Sequence, residues 1–314
     1  MIKITLSPIL AGALALAVSS APVYAATRTW VSGKGSDANP CTLAQPCRTF
    51  AAALTQTAAG GEIDVLDPAG YGAVTITQAV SIINDGVGEA GVQASTGNNA
   101  ITVNAGPSDL INLRGLTIDG AGGATNGIIF NTGGALNVEN CVIRRFSVDG
   151  ILFSPNNTNN SSSVSITNTI VNNNGNRGIS ISPGGATYVK GLINKVIANN
   201  NGAGVWVFGG NTTATSLAVT ILDSVAFNNS GVGIAASSSA NRALPALMVR
   251  NSVSNGNDTG FLAGTSATVR LARSVASANN NGVQVAGTMF SYGDNDINGN
   301  TNEGTASLTS IQMH

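Results

Sequence analysis

Four charged side chains in neighbouring repeats are the first candidates for chemistry. Arg144, Arg145 and Asp149 fall in one predicted turn, and Arg177 takes the position of Asp149 one repeat later. Adjacent arginines can hold the carboxylate of an acidic ligand, and an arginine placed against such a ligand can act as a base. The alternative is an ion pair between neighbouring turns on a solvated edge, which contributes little to stability. The residue types leave both interpretations open.

Trp206 is the second candidate, because it falls on an outward face together with Leu152 and Leu262. An exposed aromatic ring can stack on a sugar, and an apolar stripe can mark a partner surface. The same face can also be core that is covered by the loops 154–163 or 208–216. We therefore take Trp206, Leu152 and Leu262 as candidate binding residues and keep a covered face as the alternative.

The first residues have the pattern of an export signal. Lys3 precedes an apolar run over residues 4–18, which breaks at Pro22 before the small-residue segment that ends at Ala25. This pattern predicts a signal peptide over residues 1–25 with cleavage after Ala25, and a secreted protein, extracellular or periplasmic. An uncleaved anchor is the alternative, but the run is short for a membrane span. No later segment has transmembrane length, so no membrane span is expected.

Cysteine and histidine content limits the redox and metal chemistry. Export would place Cys41 and Cys47 in an oxidising compartment, where we expect them to form a disulfide. Cys141 is then left over, and we expect it to be a thiol near the surface without a catalytic role. Three cysteines and the single terminal His314 cannot supply a zinc tetrad, so no metal site is expected.

Composition excludes some classes of partner. The formal net charge is −1 and charged residues are 9% of the chain. Nucleic acids and anionic membranes attract basic surfaces, so neither is expected as a partner. The 39 glycines indicate many tight turns, while the 43% of hydrophobic residues can still bury a core.

A repeat of 22 to 29 residues organises the chain and must position these side chains. Each copy contains three short runs of alternating apolar residues, and these runs are too short for helices. A unit of this size cannot bury an apolar face alone, so neighbouring units must stack into a solenoid. A polar residue marks the same position in successive copies: Asn140, Asn168, Asn194, Asp223, Asn251, Arg273 and Asn295.

Stacking places equivalent positions above one another at the spacing of β-strands, about 4.8 Å. Recurring aliphatic residues should therefore form inward stacks. One predicted stack is Val138, Ile166, Leu192, Ile221, Val249 and Leu271. A second is Leu136, Val164, Val219, Leu247 and Val269, and a third is Ile128, Ile151, Ile179, Val205, Ile234, Phe261 and Val283. Lys190 falls in the second stack, where the alternatives are an outward bulge and a buried base.

An Ala-rich segment precedes the repeats. Residues 49–59 are followed by Gly60 and Gly61, which predicts a helix with a glycine stop. Such a helix would cover the open end of the solenoid core.

Together these segments resemble a known family. Trp30-Val-Ser-Gly-Lys-Gly-Ser-Asp, the Pro46-Cys-Arg-Thr-Phe segment and the repeated Val-x-Ile-x-Asn-x-x-Ile followed by Gly-Ile resemble secreted bacterial right-handed β-helix proteins of the pectate-lyase-like superfold. The resemblance implies an all-β, right-handed parallel β-helix (solenoid) over residues 73–314. It also implies an N-terminal cap over residues 26–72 with the disulfide and a short capping helix. This superfold hosts lyases, hydrolases, esterases, epimerases and adhesins, so it does not specify an activity.

Enzymes of this superfold usually carry their groove on the outside of one sheet. If the Gly-Ile strand forms that sheet, none of its outward residues titrates: Ile129, Leu152, Ser180, Trp206, Ala235, Leu262 and Gln284. A hydrolase would need clustered aspartates and a supporting histidine. A lyase would need an Arg or Lys base and carboxylates to hold calcium, and Asp294-Asn-Asp296 is more typical of a turn.

The expected function is therefore non-catalytic binding of a polysaccharide, a cell-surface glycan or another surface, without a cofactor. One alternative is a polysaccharide lyase or hydrolase that uses Arg144, Arg145, Asp149 and Arg177, with calcium only in the case of a lyase. A second alternative is a structural or adhesive module.

Overall fold

The computed structural model describes residues 25–157, 161–304 and 308–312. The predicted signal peptide and His314 lie outside these ranges, apart from Ala25. No helix in the described ranges is long and apolar enough to cross a membrane.

The chain is a parallel β-helix in which each turn contributes one strand to each of three sheets. All strand pairs between successive turns are parallel, and the described residues form one sheet of 12 strands and two of 10. The solenoid predicted from the repeat is thereby confirmed. Crossovers between parallel strands are right-handed in nearly all proteins, so the right-handed coil stays the expectation.

We name the sheets A, B and C in the order in which one turn passes through them. Sheet A consists of Ala26–Val31, Thr57–Val65, Val80–Ile83, Leu110–Arg114, Ala135–Glu139, Ser161–Thr167, Tyr188–Asn194, Leu217–Leu222, Pro245–Arg250, Thr268–Ala272, Thr288–Ser291 and Thr309–Ser310. Sheet B consists of Ala69–Gly70, Ala90–Gln93, Leu116–Asp119, Val142–Arg144, Ile170–Asn172, Ile197–Asn199, Val225–Phe227, Val253–Asn255, Val275–Ser277 and Asp296–Ile297. Sheet C consists of Val74–Ile76, Ile101–Asn104, Ile128–Thr132, Ile151–Phe153, Arg177–Ile181, Ala203–Phe208, Val232–Ser237, Thr259–Ala263, Asn281–Val285 and Asn302–Gly304.

The predicted inward stacks form the core, with one error of register. Ile193, and not Leu192, pairs with Ile166 and is fully buried, whereas Leu192 is 38% exposed. The same shift places Gly191 beside Val164, so Lys190 points outward by alternation and not through a bulge. Side chains alternate faces with period two, so a slip of one residue exchanges the inward and outward sets. Glycine fits at position 191 because a Cβ there would lie 3.1 Å from a methyl group of Val219.

The turn from sheet A to sheet B contains one residue in the left-handed region, as the recurrent asparagine predicted. Its φ is 53° at Asn140 and 49° at Asn168, and the Asn168 amide donates to Oδ1 of Asn140 at 2.6 Å. In the next turn Lys195 takes this position with φ 54°, so the assignment of Asn194 was wrong by the same single residue. Asn and Asp tolerate this conformation best among non-glycine residues, which explains their recurrence.

The residue after this turn points into the core, so the expectation that Cys141 lies near the surface is wrong. Cys141 is 1% exposed, and its counterparts Ser224 and Ser252 are equally buried. Equivalent residues of successive turns form a vertical file at this position, and each hydroxyl in it makes two hydrogen bonds. Ser252, for example, donates to the Arg250 carbonyl two residues earlier and accepts the backbone N–H of Ser224 from the preceding turn. Burial raises the pKa of the Cys141 thiol to about 11, which leaves it unreactive at neutral pH.

The turn from sheet B to sheet C contains a ladder of asparagines, buried except at its last member, Asn300, that was not predicted from the sequence. Each side-chain amide donates to Oδ1 of the next at 2.8–3.1 Å, in the series Asn174, Asn201, Asn229, Asn257, Asn279 and Asn300. Each Oδ1 also accepts the backbone N–H of the preceding asparagine, as Asn201 does from Asn174. The ladder therefore satisfies turn amides that would otherwise be buried without partners.

The cap has the predicted disulfide between Cys41 and Cys47 and a single helix, Phe50–Gln56. Thr49 caps this helix by accepting the N–H of Ala52, and Phe50, Ala53 and Leu54 pack into the core. The predicted glycine stop is wrong, because the helix ends at Gln56 and Thr57 already begins a strand. Thr57 instead pairs with Ala26 of the neighbouring sheet A strand, and this pairing outweighs the helix propensity of the Ala-rich segment.

The register can be tested with a pair of substitutions. Ile193→Ala should lower the free energy of unfolding by about 2–5 kcal/mol, because it opens a cavity in a closed stack. Leu192→Ala should cost less than about 1 kcal/mol, because that side chain is exposed. Denaturant unfolding measures both, and the opposite ranking would restore the register predicted from the sequence.

The ladder can be tested at its centre. Asn201→Ala should cost about 2–4 kcal/mol, because the Asn174 amides and the Val171 carbonyl lose their partner. Asn200→Gly is the matched control, since Asn200 is exposed with φ 55° and glycine accepts that conformation. A loss for Asn201→Ala no larger than that of the control would show that the ladder is not needed for stability.

Candidate functional site

A groove of about 480 Å³ crosses the outer face of sheet B in its first four strands. We call it the arginine groove and define it by Gly70, Gly91, Thr117, Asp119, Arg144 and Arg145, which all line it. Glu89 and Gln93 also line it. The groove combines an open floor with a charged wall.

Two glycines make the floor. Gly70 pairs with Gly91, and Gly91 with Thr117, so these residues share one outward file of sheet B. In the next turns this file continues with Val142 and Ile170. A Cβ on Gly70 would meet nothing within 4 Å, and one on Gly91 nothing closer than 3.4 Å, and neither residue has positive φ. Glycine is therefore not required here by backbone conformation or by packing, and its effect is to leave open space above the strands.

Arg144 and Arg145 form the wall and share a single carboxylate one turn earlier. Nε of Arg144 donates to Oδ2 of Asp119, and Nε of Arg145 donates to Oδ1, each at 2.9 Å. Burial alone would raise the pKa of Asp119, but hydrogen bonds from Arg145, the Ala121 N–H and Arg144 outweigh it and hold this pKa below its usual value. The same contact raises the pKa of Arg145. The interturn ion pair foreseen as the alternative is thus present, with Asp119 as its acid.

Arg145 occupies an unusual backbone position. Its φ is 62°, and the equivalent positions of the next turns hold Asn173, Asn200 and Asn228, also at positive φ. An asparagine accepts this conformation more readily than an arginine does. The strained arginine is held by its two bonds to Asp119, and strain of this kind concentrates at functional sites.

Asp149 and Arg177 lie elsewhere, at the entry to sheet C. Asp149 is 2% exposed, and its Oδ1 accepts the backbone N–H of Arg177 at 3.0 Å. Its own N–H donates to Oδ1 of Asn126, which in turn donates to Asn99. Asp149 thus takes the place of an asparagine in a short ladder, and this geometry favours a structural role. The four charged candidates therefore separate into two pairs.

The file around Trp206 has the predicted register on sheet C, between Leu152 and Leu262. Trp206 is half-buried. The guanidinium of Arg177 lies over the Trp206 ring, 5.1 Å from its centroid. Nε1 of Trp206 donates to Ser237 Oγ at 3.0 Å. One ring face and the polar edge are thus already occupied, which favours a covered face over an open stacking platform.

Within the described ranges, no group of three His, Cys, Asp or Glu side chains is placed to hold a metal ion. Asp294, from the turn considered for calcium, lies 3.8 Å from Nε of Arg273 and accepts that residue's backbone N–H.

The sequence located the arginines, but neither Asp119 nor the two glycines was among the predicted site residues. The available signal was glycine at outward strand positions, where a β-branched residue would be expected. It was missed because the turns before residue 120 have irregular lengths, so equivalent positions could not be aligned.

Comparison with known proteins supports the fold alone. No protein-family model matches the sequence, and no curated protein matches it. The solved structure of pectate lyase Pel9A is similar with a TM-score of 0.58 and 16% identity, over 84% of this chain and 74% of that one. The A-module of the Azotobacter vinelandii mannuronan C-5 epimerase AlgE6 is similar with a TM-score of 0.51 and 13% identity, over 80% of this chain and 89% of that one.

The structural role of Asp149 predicts a distinct pH dependence. Burial raises the pKa of its carboxyl, although the Arg177 N–H favours the ionised form. As pH rises above about 4, the Asp149 carboxyl ionises in the unfolded state before it ionises in the folded state. The free energy of unfolding therefore falls until the pH passes the pKa of Asp149 in the folded state. Asp149→Asn keeps an acceptor and removes this loss, so its stability relative to wild type should increase between pH 4 and pH 7.

Asp149→Ala is the matched variant. It leaves the Arg177 N–H without its acceptor and should cost about 1–3 kcal/mol. Thermal unfolding across pH measures both variants. An Asp149→Asn protein that is clearly less stable than wild type at pH 7 would contradict the structural role.

Proposed function

We propose that this protein binds an anionic, uronate-type polysaccharide in the arginine groove. The observation that carries the proposal is the pairing of a glycine floor, which packing does not require, with two arginines that share one carboxylate. A concave space beside convergent cationic donors is the arrangement that recognises a carboxylate-bearing ligand.

The arginines keep donors for a ligand. Asp119 uses Nε of Arg144 and two nitrogens of Arg145, while the side chains are 40% and 54% exposed. The remaining N–H groups have the planar, forked geometry that suits a carboxylate. Asp119 fixes both guanidinium groups in place, which lowers the entropy lost on binding.

The structural neighbours suggest the class of polymer. Pectate and mannuronan, in the names of the two similar proteins, are both polymers of uronic acids. Assigning the same ligand class to this chain is an analogy of fold, so the proposal rests on the geometry of the groove. The disulfide is consistent with an oxidising compartment outside the cytosol, where such polymers are found.

The charge state of the wall suits the binding of a carboxylate. A general acid or base works best with a pKa near the operating pH. The pKa of Asp119 is lowered and that of Arg145 is raised, so both residues stay ionised at neutral pH.

The groove can be tested with polygalacturonate and alginate on the full chain. Arg144→Ala/Arg145→Ala should weaken binding at least tenfold, since two charge-assisted contacts are lost. Gly91→Val should also abolish binding by filling the floor, while it favours the strand and leaves the unfolding midpoint unchanged or higher. Titration calorimetry and a parallel assay for unsaturated or reducing ends measure binding and turnover together.

Arg273→Ala is the matched control. Arg273 is exposed, has positive φ in a turn and lies near an aspartate, Asp294, as Arg145 lies near Asp119. It should leave binding unchanged. Equal losses in Arg273→Ala and the groove variant, or tighter binding of a neutral glucan than of either polyuronate, would contradict the proposal.

A further inference from the structure

The outer face of sheet B continues past the arginine groove as an uncharged strip. Its central file consists of aliphatic residues in direct register: Val142, Ile170, Ile197, Val225, Val253 and Val275. Ile197 is 42% exposed and Ile170 is 36% exposed. The other four are half-buried, and a continuous row of solvent-accessible apolar side chains of this length is typical of a binding surface.

A second file runs alongside and begins in the groove itself. After Asp119 and Arg144 it continues with Asn172, Asn199 and Phe227. Phe227 is 45% exposed, so its ring is open to a partner. Oδ1 of Asn199 is buried and has no hydrogen-bond donor among the described residues, so a rotation of this side chain toward a ligand would break no internal bond at that atom.

We infer that the polysaccharide held in the arginine groove extends along this strip, with an uncharged sugar ring stacked on Phe227 and a sugar hydroxyl bonded to Asn199. The inference rests on the proposed function. It adds a second subsite and a ligand class, a polyuronate in which a free carboxylate is followed by uncharged sugars.

The chemistry of the strip favours a saccharide over a protein surface. Amides alternate with apolar side chains across the two files, and an apolar partner would bury those amides without partners, at a cost in free energy. A sugar presents C–H faces and hydroxyls together, so it can match both files. No Asp, Glu, Lys or Arg stands in either file between Arg144 and Asp296, so a charged sugar would gain nothing there.

The geometry sets a minimum length for the ligand. Phe227 lies three turns beyond Arg144, which corresponds to about 14 Å at the usual strand spacing. A disaccharide bound at the arginines cannot reach the ring, whereas a longer oligosaccharide can. Affinity should therefore depend on chain length, and only the gain with length should depend on Phe227.

The experiment compares short and long oligogalacturonates, both half methyl-esterified, on the full chain. The wild type should bind the decamer more tightly than the dimer. Phe227→Ser should lower the decamer affinity about fivefold and leave the affinity for the dimer unchanged. Ile197→Thr, which keeps a β-branched residue, should show a smaller effect in the same direction. Leu244→Ser is the control, since Leu244 is 65% exposed outside both files.

Three other outcomes are separable. No binding of either oligomer by the wild type overturns the proposed function itself. The disaccharide could bind in a way that depends on Arg144 and Arg145, while Phe227→Ser and Leu244→Ser reduce the extra affinity for the decamer equally or not at all. This result would overturn only the second subsite on the strip. Sedimentation could show that the wild-type protein self-associates and that Phe227→Ser abolishes this self-association while decamer affinity is unchanged. This result would identify the strip as a contact between two protein copies and would also overturn the inference.

Discussion

The register between successive turns is the constraint on which the structure depends. Each strand pairs in parallel with the same strand one turn earlier, so every side chain has the equivalent residue of the neighbouring turns above and below it. The asparagine ladder from Asn174 to Asn300 holds this register from within, because each amide bridges two turns and also satisfies a backbone group. A slip of one residue would break the ladder and turn the aliphatic stacks outward at the same time.

The same constraint explains how a site can arise on such a repetitive scaffold. Where every turn presents the same kind of residue, a site requires turns that depart from the pattern. Three such departures lie together at the start of sheet B, where Gly70 and Gly91 take the place of branched residues and Arg145, just after the fourth strand, takes the place of an asparagine at a left-handed turn. Packing requires neither glycine, and together these residues leave a concave surface in which two arginines stand beside Asp119 and Glu89.

Arg177 and the pair Arg144 and Arg145 differ in the direction of their interactions. Arg177 spreads over Trp206 and its backbone completes a buried ladder through Asp149, so its interactions are directed into the protein. Arg144 and Arg145 are fixed by Asp119 at the wall of an open groove and keep donors toward solvent. Identical side chains one repeat apart thus contact the solenoid itself in one place and line an open groove in the other.

The sequence by itself determined the solenoid, the repeat, the disulfide and the outward file around Trp206, because period-two alternation and residue spacing are local properties of the chain. It also located the arginines. Only the tertiary structure decided that Ile193 and not Leu192 is buried, that Cys141 lies in the core, and that Arg144 and Arg145 pair with Asp119 across one turn. These facts depend on which residue lies above which. That register is set by hydrogen bonds between turns of unequal length, and unequal turn lengths are the feature that a repeat alignment cannot resolve.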